Sequence, residues 1–278
     1  MSSQKAPARN RNAARIFAVF AVACATQLHA QPVGEFSLET VERLGRAIYE
    51  RDMAAWRATD VLRHENKAGR VADSEMSKIL GWIVVGTPEE PVVKFIAEGP
   101  QGPYSVFAAA SFRDKRRAIA SEPPPKRVLT EAELTQFRAR QLAIAQIKRR
   151  CSDTYNTVVL PNVEGDGFLV YALAATALPD VMVLGGHYRI AVSQDGRRIA
   201  RTEALFRTCL TASLKPSMVG EMQKDVIVTR EAVVVVHDVS RAPLETHVFL
   251  SLLHNRNIGV ATGPQTVWIV SQGKIRRP

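Results

Sequence analysis

Beyond residue 30, Val41, Leu44, Ile48 and Ala55 recur at helical intervals, and the spacing predicts a helix from Ser37 to Leu62. Ser37 can cap it, Phe36 and Val41 stand at staple spacing, and Glu39 and Glu42 suit its positive end. Gly45 is its weak spot. Glu42, Arg43, Arg46, Glu50 and Arg51 read as its solvated face. Tyr49 and Trp56, seven apart and so on one side, read as a packing stripe.

The pattern then changes period. Gly81 to Val85, Val92 to Ile96 and Tyr104 to Phe112 are β-branched runs separated by Pro- and Gly-rich turns, a three-stranded meander. The basic run Arg113 to Arg117 and the triplet Pro123-Pro124-Pro125 interrupt it and make a hinge. Thr130 and Glu133 open a second helix with a capping box, and Leu134, Phe137, Leu142, Ile144, Ala145 and Ile147 give it a broad buried face. The remaining apolar runs read as strands: Asn156 to Leu160, Phe168 to Ala175, Val181 to Val192, Ile199 to Cys209, Val226 to His237, Glu245 to Leu253, Asn257 to Ala261 and Val267 to Val270. A short helical turn is expected within 215–225.

This order predicts an α+β fold, two main helices packed on antiparallel sheet. Residues 31–125 supply a helix plus meander and 126–278 a helix plus a larger sheet, either as two domains or as one continuous domain.

Residues 1–30 stand apart. Lys5, Arg9, Arg11 and Arg15 precede the apolar run Ile16 to Ala25, and a cleavage point follows Ala30. That is the secretory signal pattern, too short for a permanent membrane span. Ala21-Val22-Ala23-Cys24 offers a second processing route, with lipid on Cys24 tethering the chain to a membrane. Export places the mature chain in the periplasm or outside the cell. The chain is 278 residues long with formal charge +10, four of those charges lying in the leader. The mild excess left in the mature part favours anionic envelope surfaces and gives no case for nucleic acid.

Cys151 and Cys209 are the two cysteines beyond the leader, 58 positions apart, and an oxidising compartment predicts a disulfide between them. Neither belongs to a Cys-x-x-Cys redox pair.

The chain contains no nucleophile elbow, phosphate loop or His-Glu-x-x-His helix. His237, Asp238 and His247 come nearest to a metal-ligand set, with Glu245 the alternative carboxylate, on a hairpin turning through Arg241-Ala242-Pro243. On a strand, His247 and His254 would point to opposite faces, so the histidines would not all converge. His187 and Arg189 read as a solvated pair with Tyr188 packed behind them. No cofactor is expected. These features favour a non-catalytic binding module for a protein, peptide or envelope component. The alternatives are an exported hydrolase with a His-based site, and an assembly factor that pairs through an exposed strand edge.

Overall fold

In the computed structural model, described for residues 33–99, 104–113, 117–119, 128–215, 222–223 and 225–277, the first helix is α1 (Leu38–Lys67). Ser37 Oγ accepts from Thr40 N–H at 3.2 Å, and the helix outruns the expected Leu62 by more than a turn. A single turn, α2 (Asp73–Met76), leads into the meander β1 (Ile79–Gly86), β2 (Pro91–Ala97), β3 (Ser105–Arg113) and β4 (Arg117–Ile119), paired in that order. Helix α3 (Glu131–Ala145) starts on the expected capping box: Glu133 N–H donates to Thr130 Oγ1 and Thr130 N–H to Glu133 Oε2. Its buried stripe differs from the expected one. Glu133, Phe137, Arg140 and Ala143 face inward while Ala145 is exposed, because Lys94 pairs with Glu133 and Thr157 Oγ1 accepts from Arg140 Nε at 2.7 Å.

The strands β5 (Tyr155–Pro161), β6 (Phe168–Ala174), β8 (Tyr188–Val192) and β9 (Ile199–Ala204) form an antiparallel sheet. Between β6 and β8, β7 (Val181–Val183) leaves to pair with β10 (Thr211–Ser213). The run from Val181 to Val192 is therefore two strands, broken at Gly185-Gly186, where a bend or bulge is expected from the paired glycines. A Cβ on Gly185 would lie 2.1 Å from Thr208 O, and one on Gly186 2.4 Å from Cys151 Cβ, so only glycines pass here. That crowding surrounds the Cys151–Cys209 disulfide, which is present as expected. The run from Ile199 likewise ends as a strand at Ala204.

A third sheet takes β11 (Met222–Gln223), β12 (Val226–Val228), β13 (Ala232–Val236), β14 (Asn257–Gly263), β15 (Thr266–Ser271) and β16 (Lys274–Arg276) in order. The expected strand from Val226 to His237 is two strands with a turn at Thr229–Glu231, and most of 215–225 lies outside the described residues. The larger correction concerns Glu245 to Leu253, which is not a strand but the helix α4 (Glu245–His254). Strands β13 and β14 pair in parallel, and a parallel pair needs a crossover, which α4 provides. Asn255 ends it in the left-handed conformation, φ 48°.

Helix α4 packs directly on α1. A Cβ on Gly45 would stand 2.4 Å from Val248 Cβ, so the weak point in α1 is where the two helices make close contact. The fold is α+β, and 31–278 forms one compact unit. No helix among the described residues is long and apolar enough to cross a membrane. The leader and Cys24 lie outside the described residues.

Candidate functional site

The residues singled out by sequence occupy the interior. His237 and His247 do come together, ring centroids 4.7 Å apart at right angles, but through the α4 crossover and not through a hairpin. They are 1% and 3% exposed. His247 sits at the third position of α4, and its Nδ1 accepts from Leu244 N–H at 3.0 Å, a backward cap. His237 Nε2 lies 2.7 Å from Ser240 Oγ, which itself donates to Ala242 O. Asp238 is not with them: its carboxylate pairs with Arg207 at 2.9 Å on the surface, both side chains more than half exposed. No group of three metal-ligating side chains assembles among the described residues. Burial pushes His237 down to about 4 and His247 well below its ordinary value, the latter helped by His237 and His187.

The expected solvated pair His187 and Arg189 is instead buried, 1% and 0% exposed. His187 Nδ1 accepts from Ala174 N–H and its Nε2 meets Val183 O at 2.9 Å, so both ring nitrogens are used and burial holds it near 4. Arg189 is the hub of an ion network. Its Nε and Nη2 reach Glu203 at 2.7 and 3.2 Å, its Nη1 reaches Glu245 at 2.7 Å, and Nη2 also donates to Gly34 O at 2.6 Å. Tyr171 donates to Glu245 Oε1 at 2.9 Å, and Phe36 lies over the guanidinium at 4.3 Å. Burial alone would raise Glu203, but its hydrogen bonds and charge contact with Arg189 outweigh that and hold it below the usual carboxylate range. Two carboxylates thus satisfy one cation, and the N-terminal segment is fastened on top. This is a structural tie with its donors spent.

The accessible chemistry lies elsewhere. A cleft of about 460 Å³ opens between α1, the loop after β6 and the C-terminal end of α4. That volume lies within the usual range of small-ligand sites. Tyr49, Asp52, Met53 and Trp56 line one wall, spaced i, i+3, i+4, i+7 on α1. Leu253 and His254 of α4 and Leu178 of the loop line the others. The expected packing stripe is only half realised: Tyr49 touches the core, but Trp56 is 54% exposed, as are Leu178 at 63% and Leu253 at 38%. These apolar groups face water around one hollow.

At its base stands Asp52, 6% exposed, with Asn156 Nδ2 donating to Oδ1 at 3.0 Å. Burial raises its carboxyl to about 6, against a smaller lowering by Asn156. His254, two turns from His247 on one helix, is kept below its ordinary value by burial and by the charge of Arg256. Sequence reasoning missed Asp52, although its position signals it: Asp52 follows Ile48 by four residues and falls on the buried stripe of α1, where an apolar residue belongs. A smaller cleft of about 200 Å³ contains Arg43, Glu50 and Arg51. It is below the size of a ligand site, and Arg51 Nη1 already donates to Val84 O at 2.5 Å.

No family model, curated protein or solved structure matches the chain.

Proposed function

We propose that the chain is an exported, non-catalytic binding protein whose ligand occupies the cleft between α1 and α4. The observation behind this reading is the cleft itself: an apolar hollow of ligand size, rimmed by exposed Trp56, Leu178 and Leu253, with a buried carboxyl at its base. The disulfide and the leader pattern support export. A hydrolase built on His237, Asp238 and His247 has less support, since the two imidazoles are enclosed and the carboxylate points away. Edge pairing is weakened at β16, where Glu42 of α1 accepts from Ile275 N–H at 2.7 Å and pairs with Lys274.

The test is binding of 1-N-phenylnaphthylamine, an uncharged apolar dye whose emission rises on burial. The mature chain should bind it in the micromolar range, and Thr176→Trp, which fills the cleft from an exposed position, should abolish the signal. Equal dye binding by both proteins would refute the cleft. Intact mass of exported material should begin at Gln31; a diacylglyceryl mass on Cys24 would instead make it a tethered protein.

A further inference from the structure

We propose that the cleft takes a small organic cation with an apolar body, its ammonium group paired with the Asp52 carboxylate and its hydrocarbon lying against Tyr49, Trp56 and Leu178. The inference rests on the reading of this cleft as the ligand site and adds the chemical class of the ligand.

Three observations converge on a cation. First, Asp52 is held by one amide hydrogen bond from Asn156 and, among the described residues, by no cation. A buried carboxylate without a counter-ion is costly, and a ligand that supplies the opposite charge recovers that cost on binding. Second, charge is segregated. The chain has 37 Lys and Arg residues, yet none of the described residues lining the cleft is one of them. The smaller cleft nearby has two arginines, so the exclusion is specific to this hollow. Third, Tyr49 and Trp56 stand on either side of Asp52 along one face of α1, three and four residues away. Aromatic faces beside a carboxylate attract ammonium groups through their quadrupoles.

The other polar groups lining the cleft do not oppose this. Tyr49 comes from α1 and His254 from α4; β5 contributes Asn156, whose amide donates to Asp52, and the loop after β6 contributes Thr176, whose hydroxyl accepts from Leu178 N–H. Burial and the charge of Arg256 both disfavour the charged form of His254. An anionic ligand would meet an ionised carboxylate with no donor of charge to offset it. Neutral apolar ligands would fill the hollow and leave the carboxylate unpaired.

The test uses three six-carbon probes that differ only in the head group: n-hexylammonium, 1-hexanol and hexanoate. Calorimetric titration of the mature chain at pH 8 should show hexylammonium binding at least tenfold tighter than hexanol, with hexanoate weakest. The preference for the cation should fall about tenfold at pH 5, where a carboxyl titrating at about 6 is mostly protonated. In Asp52→Asn it should vanish while hexanol still binds, which shows that the variant keeps its cleft. A preference for hexanoate, or a cation preference that survives Asp52→Asn, would overturn the proposal. Equal binding of all three probes, blocked by Thr176→Trp, would overturn the cation and leave the cleft standing as a site. Binding of none would overturn both.

Discussion

Asp52→Asn should make the protein more stable at neutral pH. The carboxyl ordinarily titrates at 3.8 and is pushed up to about 6 by burial. For an acid, a folded-state value above the unfolded one means that the folded chain holds the proton more tightly between those limits. Stability therefore falls as pH rises from 3.8 to about 6 and stays low above. At about 1.4 kcal/mol per tenfold change, the ionised group costs the folded state about 3 kcal/mol at pH 8. An asparagine removes the charge and keeps a carbonyl that accepts from Asn156 Nδ2. Urea unfolding at pH 8 should show the variant more stable by up to about 3 kcal/mol, a midpoint shift of about 1 M at ordinary slopes. At pH 3.5, with Asp52 mostly protonated in both states, the two curves should nearly coincide. A variant less stable at pH 8, or an advantage that does not change with pH, would refute the account of Asp52 as a strained carboxylate retained for function.

Glu203→Gln should cost about 3 kcal/mol or more in urea unfolding, since it leaves the fully buried Arg189 with half its counter-charge; a change under about 1 kcal/mol would show that the network is not a structural tie. His187 and His237, each held near 4, stabilise the fold fully above pH 6.5 and lose that contribution as pH falls toward 4, about 3 kcal/mol apiece. Buried His247 adds a loss of the same sign, whereas Asp52 recovers about 3 kcal/mol over nearly the same window, so acidification to pH 4 should cost Asp52→Asn about 3 kcal/mol more than the native chain; equal losses in the two proteins, or rising stability of the variant toward pH 4, would contradict this. Reduction of Cys151–Cys209, which closes a loop of 58 positions, should cost about 4 kcal/mol on the chain-entropy view, read as a lower urea midpoint in dithiothreitol.

Elements fixed by local chemistry were legible in the sequence. Ser37 and the Thr130–Glu133 box set the starts of α1 and α3, the meander follows its turns, and Cys151 pairs with Cys209. Helix α4 was not legible as one. Its run Val248, Phe249, Leu250, Leu252, Leu253 suits a buried strand or a buried helix alike, and its N-cap is Leu244, which offers no capping oxygen. The deciding fact is the parallel pairing of β13 with β14, a tertiary property, although Asn255 after His254 was a usable stop signal. Arg189 misled for a similar reason. Its partners lie 14 and 56 residues away, so a guanidinium at the centre of the molecule resembles a surface residue until the sheet is assembled. Asp52 needed no tertiary information, only the observation that a carboxylate interrupts an apolar stripe.

The indole N–H resonances of the mature chain test the cleft most directly. Three tryptophans give three signals, and of these Trp56 alone lines the cleft, whereas Trp82 belongs to the meander and Trp268 donates to Thr262 Oγ1 at 3.2 Å. Titration with n-hexylammonium at pH 8 should shift the Trp56 signal saturably and leave the other two in place. An unmoved Trp56 signal, or equal shifts of all three, would contradict the assignment of this cleft as the binding site.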